Sequence, residues 1–467
     1  MTAIHSLCAT DLVRLYRRRT LSPVEVVRVA LDRITAVNPI INAFLLVDAT
    51  GAMAAARDSE ARWMKGEPNG LVDGVPVTIK DNINVSGWPT RRGSLTTDSG
   101  PASADAPAVA RLREHGAIFL GKTTLPEYGW IGVCHSPLTG ISRNPWNLER
   151  TPGGSSGGAA AAALLNLGVL HLGTDGAGSI RIPAAFTGVF GFKPTFGRVP
   201  AFPASPFGGL AHQGPLTRRV ADSALMTSII AAPDARDMTA WNTPAPDFRV
   251  GLEDGVSSLR LAFSPRLGYV ERLDAEIEAS AAAAAGVFAE LGATVETADP
   301  GFAEPIDMIR TMWGAVSAAI VDSLPASEHA RMDPDFLRVA DQGRRTTVAD
   351  YLKAYQACAN LANAMVQFHD RYDLLLTPQM PIAALEVGRI TPADGRFGDD
   401  WIGWSPYTYP FNLTQQPTAS VPCGLTSDGL PIALQIVGPR GGDQLVLRAA
   451  RALESARPFV TIDAPRQ

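Results

Sequence analysis

Short apolar segments with β-strand character recur along the chain, and stretches with helical periodicity separate them. In one of them Val75, Val77 and Ile79 alternate with other residues, so that Lys80 ends the strand on the opposite face. The alternation of strands and helices predicts an α/β fold, with a mixed, largely parallel twisted sheet sandwiched between helices. The predicted strands lie near residues 75–80, 118–120, 169–172, 259–263, 293–295, 374–377, 420–422 and 432–437.

The predicted helices carry signals at their ends. Ser22 and Glu25 form a capping box with Pro23 at the first helical position, and an apolar face follows. Gly116 is placed to end another helix. The other predicted helices cover residues 52–63, 109–115 and the alanine-rich stretch 159–165.

The sequence shows no domain boundary. No repeat recurs at a fixed period, and no Gly, Ser or Pro run is long enough to separate independent domains. We therefore predict a single domain over residues 1–467, with an N-terminal helical segment at about 1–65. The segment 232–256, rich in Pro and Asp, is predicted to be a surface excursion within that domain.

Composition excludes several classes of protein. With 46% hydrophobic and 19% charged residues and a net charge of −5, the chain is neither disordered nor equipped with the basic surface that nucleic acid requires. The four cysteines lack C-x-x-C spacing, and none has a histidine at zinc-finger distance, so we expect reduced thiols in a cytoplasmic protein with no metal site. The longest uncharged run, 151–174, is interrupted by glycines, and its apolar part is far below the ~20 residues that cross a bilayer. We predict no membrane segment and no secretory signal.

Residues 116–123 match the P-loop expression G-x-x-x-x-G-K-[ST] letter for letter. A phosphate-binding loop follows a strand and exposes backbone N–H groups, whereas here a polar helix precedes Gly116 and four apolar residues follow it. The sequence therefore favours Gly116 as a helix cap and Lys122 as a structural residue.

Two small-residue segments carry serines. Residues 153–158 read GGSSGG, which is either a flexible turn or the G-x-S-x-G nucleophile elbow; the polar upstream segment with two prolines argues against the elbow. Ser179 lies on a second small-residue turn, after a predicted strand. That turn is either an ordinary strand-to-helix connection or a nest of N–H groups that binds an oxyanion beside a serine nucleophile.

Taken together, these segments resemble the amidase signature family. The resemblance rests on VPVTIKDN at 75–82, GGSSGG at 153–158 and the segment from Thr174 to Arg181, including the spacing between Ser155 and Ser179. It covers essentially the whole chain. Further matching segments are 116–127, 143–146, 191–194, 410–412 and 420–424.

The resemblance implies a Ser–cis-Ser–Lys triad, the amidase signature fold and no metal or organic cofactor. A lysine base must be neutral, so its pKa must fall from ~10.4 toward ~7 or 8 through burial. The family more often has T-D-T-G-G-S, so Ala177 would be strained if its position required a positive φ. The implied roles are Ser179 as nucleophile, Ser155 as bridging serine on a cis peptide bond, Lys80 as base, Gly176, Ala177 and Gly178 as oxyanion hole, and Thr174 and Asp175 as supporting residues.

The expected reaction is hydrolysis of a small-molecule carboxamide through an acyl-enzyme, releasing ammonia or an amine. The alternative is the glutaminase (A) subunit of a tRNA-dependent amidotransferase, which holds the glutamine carboxylate with an arginine. Residues 354–368 contain no basic residue, and Cys358 takes the expected position of that arginine. The sequence leaves the oligomeric state open, with a homodimer as one alternative. Candidates for an acyl pocket are Trp313, Trp401, Trp404 and Tyr407.

Overall fold

Eleven strands form one mixed sheet in the computed structural model, which describes residues 3–466. Two further short strands, β4 and β5, form a separate hairpin. The strands are β1 (Phe44–Val47), β2 (Pro76–Lys80), β3 (Ile118–Thr123), β4 (His135–Ser136), β5 (Gly140–Ile141), β6 (Leu170–Asp175), β7 (Phe190–Lys193), β8 (His212–Thr217), β9 (Arg260–Phe263), β10 (Thr294–Thr297), β11 (Leu374–Pro378), β12 (Thr418–Leu425) and β13 (Pro431–Val437).

The α-helices lie between these strands and follow the last one. They are α1 (Ala9–Arg17), α2 (Pro23–Ile41), α3 (Ala49–Lys65), α4 (Pro107–Glu114), α5 (Gly157–Leu164), α6 (Arg181–Thr187), α7 (Val220–Ile230), α8 (Ala275–Glu290), α9 (Ile306–Asp322), α10 (Pro334–Gly343), α11 (Val348–His369), α12 (Pro410–Leu413) and α13 (Asp443–Ala456). Among residues 3–466, no helix combines the length and the apolar character needed to cross a membrane.

The strand order in the sheet is β1-β3-β2-β6-β8-β7-β12-β13-β11-β9-β10. The six strands from the first half of the chain are therefore contiguous, as are the five from the second half. The two halves meet where β7 pairs antiparallel with β12. Parallel pairing is confined to β3-β2-β6 in the first half and β11-β9-β10 in the second, and the remaining pairs are antiparallel.

Helices cover both faces of the sheet, which confirms the α/β prediction. On one face, α4, α7, α8 and α13 bury Val77, Ile79 and Leu172. On the other face, α2, α3 and α5 pack against Ile118 and Leu120. Because side chains alternate along a strand, Thr78 and Lys80 of β2 point away from the Val77 side.

Several local predictions are confirmed. The Ser22 side chain and the Glu25 carboxylate form the capping box at the start of α2. Gly116 follows α4 with φ of +81°. Lys122 is buried within β3, where it lies 3.3 Å from the Asp81 carboxylate and donates to the Ile83 carbonyl at 2.8 Å. The P-loop expression therefore matches a buried strand whose lysine contacts groups of the protein itself.

The N-terminal segment contains a strand as well as helices. Strand β1 pairs antiparallel with β3 and extends the sheet at one edge. Between α7 and β9, residues 232–256 contain no helix or strand and expose Met238 and Val250. The single-domain organisation stays a prediction.

Candidate active site

Three segments meet at one end of the sheet. Lys80 is the last residue of β2, and Ser179 lies in the turn that joins β6 to α6. Since β2 and β6 are neighbouring parallel strands, their carboxyl ends lie together. Ser155 lies just before α5, on the side of the sheet toward which Lys80 points.

Lys80 is fully buried among hydroxyl groups. Its Nζ lies 2.7 Å from Ser155 Oγ, 2.9 Å from Ser156 Oγ and 2.9 Å from Thr174 Oγ1. Asn82 also donates to Thr174 Oγ1, at 3.0 Å. Burial lowers the pKa of Lys80 to about 7, against the smaller opposing influence of Cys134 and Asp175. With a pKa near 7, a large fraction of this amine is neutral at neutral pH, as a general base requires.

The two serines are nearly inaccessible, at 2% exposure for Ser155 and 4% for Ser179. The peptide bond between Gly154 and Ser155 is cis. The backbone N–H of Ser156 donates to the Ser179 carbonyl at 3.0 Å and ties the two serine segments together. Ser179 Oγ makes no hydrogen bond within residues 3–466, so it is a hydroxyl without a competing partner.

The Asp175 carboxylate organises the turn that carries Ser179. It accepts hydrogen bonds from the backbone N–H of Gly178 at 2.7 Å and of Ile180 at 3.1 Å. Two Arg181 nitrogens donate to it at 3.0 Å, and Asn412 donates at 2.9 Å. Burial alone would raise the pKa of Asp175, but the Arg181 guanidinium holds it well below its ordinary value. The carboxylate is therefore a permanent anchor of the turn.

This anchoring engages one of the three residues that the resemblance places in the oxyanion hole. The N–H of Gly178 is directed to Asp175, so it is not a free donor. Across the described chain, the N–H groups of Gly176 and Ala177 have no acceptor. The Thr408 hydroxyl donates to the Ala177 carbonyl at 2.6 Å, so both polar groups of the Ala177–Gly178 peptide unit are held.

Glycine is needed at one position of this turn. Gly178 has a φ of +124°, and a Cβ there would lie 2.8 Å from the Thr408 side chain. Ala177 does not have a positive φ, so its methyl group introduces no backbone strain. The departure from T-D-T-G-G-S is therefore neutral for the backbone.

An aromatic cluster adjoins the turn. The Trp313 ring lies against Gly176, where a Cβ would be 3.3 Å from it, and Trp313 Nε1 donates to the Trp130 carbonyl at 3.0 Å. Trp313 packs on Phe207 and on Trp401, with ring centroids 4.2 Å and 5.3 Å apart. Trp404 belongs to the same cluster, which also buries Ala177.

Tyr407, the fourth candidate for the acyl pocket, lies apart from this aromatic cluster. Its hydroxyl donates to the Pro265 carbonyl at 2.7 Å, and its ring belongs to a separate apolar cluster with Phe368 and Tyr372. A separate cleft of about 540 Å³ is lined by charged residues that include Asp274 and Arg396. Neither Lys80 nor the two serines line it.

Within residues 3–466, no histidine hydrogen-bonds to Ser155 or Ser179, and no metal site is found. His171 is buried against Thr78, and burial lowers the pKa of this imidazole to about 3. No group of His, Cys, Asp and Glu side chains between residues 3 and 466 could hold a metal ion. All four cysteines are free thiols.

Sequence reasoning assigned no role to four residues that the structure brings to the site. Ser156 contacts Lys80 directly, and its position in GGSSGG is a sequence signal that could have identified it. Arg181 and Asn412 lie in segments that the family resemblance already included. The ion pair of Arg181 with Asp175 and its hydrogen bond to Asn412 depend on tertiary packing. Thr408 lies in no matching segment.

Comparisons with known proteins identify the family of the chain. The family model described as "Amidase" matches residues 25–447. An acylamidase of Rhodococcus erythropolis is 36% identical over 98% of this chain and 96% of its own length. The A component of the glutamyl-tRNA(Gln) amidotransferase from Myxococcus xanthus is also 36% identical, over 94% of this chain and 95% of its own.

Solved structures lead to the same family. The crystal structure of a bacterial aryl acylamidase of the amidase signature family superposes with a TM-score of 0.91 at 32% identity and covers 97% of both chains. Both the matched segments and the architecture extend over nearly the entire length. The chain therefore belongs to the amidase signature family and is a hydrolase that acts on carbon–nitrogen bonds.

Proposed function

We propose that the protein hydrolyses an uncharged, aromatic or apolar carboxamide through an acyl-enzyme on Ser179. The observation that carries this proposal is the setting of Lys80, a buried amine whose pKa lies near 7 and which is 2.7 Å from Ser155 Oγ. A serine hydroxyl needs a proton acceptor to act as a nucleophile, and a neutral lysine can be that acceptor.

In the proposed mechanism, Ser179 Oγ attacks the amide carbonyl carbon. Its proton passes to Ser155 as the Ser155 proton passes to Lys80 Nζ. Because Ser179 Oγ has no hydrogen bond in the structure, contact between the two serine hydroxyls forms when substrate binds, as catalytic hydrogen bonds often do. The relay then returns the proton to the leaving nitrogen, and the C–N bond breaks.

The same groups serve the second half of the reaction. A water molecule loses a proton to the Ser155–Lys80 pair and attacks the ester carbonyl. The pair then returns that proton to Ser179 Oγ as the ester C–O bond breaks, which releases the acid and restores Ser179. We assign the developing oxyanion to the free N–H groups of Gly176 and Ala177, together with the N–H of Ser179. Asp175 and Thr408 act on these donors indirectly, since they hold the adjoining peptide unit.

The aromatic cluster supports the substrate class. Trp313 lies directly against Gly176, and Phe207 and Trp401 pack on it. A ring or alkyl chain attached to the scissile amide would be buried against these side chains, and burial of apolar surface contributes about 25 cal/mol per Å². The acylamidase and aryl acylamidase relatives have names consistent with such substrates.

The second candidate is the glutaminase role in a tRNA-dependent amidotransferase, favoured by the relative from Myxococcus xanthus. A free glutamine carries a carboxylate that must be paired when it is buried. Residues 354–368 contain no basic side chain, and the Cys358 thiol instead donates to the Ala354 carbonyl and touches Met312. This apolar setting supports an uncharged amide.

The nucleophile can be identified by covalent labelling. A serine-reactive fluorophosphonate should add to Ser179, and peptide mass spectrometry should locate the adduct. Ser179→Ala should abolish both labelling and amide hydrolysis at an unchanged melting temperature. An adduct on Ser155 or Ser156 would contradict the assignment and favour the nucleophile elbow.

A further inference from the structure

Helix α11 exposes an apolar stripe that faces no other part of the described chain. Its large members are strongly exposed: Val348 by 78%, Leu352 by 51%, Tyr355 by 60% and Val366 by 62%. With the alanines between them they repeat at intervals of four and three residues, which places them on one face of a helix. We call this set the α11 stripe, and its members are Val348, Leu352, Tyr355, Ala359, Ala362 and Val366.

The stripe is distinct from the face that α11 packs on the protein. Ala354, Leu361, Met365 and Phe368 form the buried face. Most other large apolar residues at the surface, such as Met238, are scattered singly, and single exposed residues are normal. An apolar row on one helix marks a surface that another molecule covers.

The charge content of α11 supports the same conclusion. Lys353 is its single charged residue between Tyr351 and Phe368, although much of the helix is exposed. Depletion of charge is typical of the centre of protein interfaces. Helices that lie on membranes instead carry rows of Lys and Arg beside their apolar face, and α11 has no such row.

The order of residues in the stripe is self-complementary. When two copies of α11 pack antiparallel about a two-fold axis, large side chains of one helix oppose small side chains of the other. Such a match lets the helices approach closely without leaving cavities. The large-to-small pairs are Leu352 with Ala362 and Tyr355 with Ala359, and Val348 opposes Val366 at each end.

The ends of the helix add charge complementarity. Arg345 precedes α11 and Asp370 follows it; both are exposed, and neither has an ion-pair partner in the range 3–466. Antiparallel packing brings Arg345 near the partner's Asp370, and the symmetric contact forms at the other end. We infer that the α11 stripe is the dimerisation surface of this protein and that its occupant is α11 of a second copy.

The expected association is concentration-dependent. A single helix pair buries less than the ~800 Å² per partner of a standard interface, so the dimer should dissociate on dilution. Analytical ultracentrifugation of the full chain, from nanomolar to tens of micromolar, should show a mass that rises from 49.4 kDa toward twice that value.

Charged substitutions test the surface. Leu352→Glu and Tyr355→Glu should keep the protein monomeric at every concentration, because each buries two carboxylates at the two-fold contact. Met238→Glu is the matched control, since Met238 is 97% exposed outside the stripe, and it should dimerise like the wild type. Melting temperature and amide hydrolysis verify that all three variants fold, and neither depends on the inferred dimer.

A crosslink tests the antiparallel register. In a Cys358→Ser background, Tyr355→Cys and Ala359→Cys chains with different tags should form a mixed disulfide dimer when they are combined and oxidised. A wild-type chain that stays monomeric throughout, a dimer that survives both glutamate substitutions, or a mixture that forms no crosslink would overturn the inference. So would binding of anionic vesicles through this stripe by a monomer.

Discussion

In the proposed mechanism, the charge state of Lys80 as the base determines how activity depends on pH. Since burial lowers the pKa of this amine to about 7, the base is protonated and inactive in acid and becomes competent as the pH rises through 7. We expect kcat/KM for an amide to rise about tenfold per pH unit below 7 and to level off above 8. Lys80→Ala should remove this limb together with most of the rate, and Lys80→Arg should do the same because arginine keeps its proton.

The same pKa has a consequence for stability. In the unfolded chain Lys80 keeps its proton up to its ordinary value near 10.5, so unfolding takes up a proton between pH 7 and that value. The burial of Lys80 therefore destabilises the fold fully below about pH 7, and this penalty decreases as the pH rises toward 10.5. A Lys80→Ala enzyme with near-normal turnover and an unchanged pH profile would rule out Lys80 as the base.

Thr408 is predicted to position the oxyanion donors without touching substrate. Thr408→Val keeps the side-chain shape but leaves the buried Ala177 carbonyl without its donor, which costs about 1–3 kcal/mol. If half of that cost falls on the transition state, kcat should fall about two- to tenfold, with KM little changed. Thr408→Ser keeps the hydroxyl and should restore most of the rate. Equal loss in the Val and Ser variants would indicate a packing role instead.

At the scale of elements, the turn between β6 and α6 depends on the backbone freedom of Gly178. Gly178→Ala places a methyl group 2.8 Å from Thr408 and 2.9 Å from Ile182, at a φ of +124°. We expect loss of amide hydrolysis and a lower melting temperature. Gly66→Ala is the matched control, because φ is +81° there but nothing lies within 4 Å of the added methyl. It should cost about 1–2 kcal/mol of stability and leave kcat unchanged.

The elements that the sequence predicts well are those with a local signal. Strand β2 alternates strictly, and the Ser22 cap fixes the start of α2. Strand β8 was missed because its sequence, HQGPLT, has no apolar alternation and becomes a strand only through its partners β6 and β7. Strand β7, with the sequence FGFK, is too short and too rich in glycine to be distinguished from a turn.

The candidate site shows the same division. The family resemblance indicated Lys80, Ser155 and Ser179 because each lies in a contiguous motif. The contact of Thr408 with Ala177 joins residues more than two hundred positions apart, and no local pattern encodes it. The engagement of the Gly178 N–H likewise depends on the position of the Asp175 carboxylate in three dimensions.

For the whole molecule, the prediction concerns independence from partners. The purified chain, without ATP or other proteins, should hydrolyse an anilide with a higher kcat/KM than glutamine, since the helix that would hold a carboxylate has only Cys358 at that position. The comparison should use ammonia or aniline release at matched enzyme concentration. A preference for glutamine, or activity that appears only when the other components of an amidotransferase are added, would favour the second candidate function.

The pairing of β7 with β12, the seam of the sheet, separates the strands of the first half of the chain from those of the second half. All three proposed triad residues come from the half of the chain that forms the strands up to β7. Thr408, Asn412 and Trp313 come from the half that forms the strands from β12 onward. The two halves are joined along the chain through the irregular segment 232–256, which exposes Met238 and Val250 and buries Phe248 in the core. A chain divided within that segment would carry the reactive groups on one fragment and their supports on the other. Its activity would therefore report whether the fragments reassemble, which makes the fold a natural framework for a split-enzyme sensor.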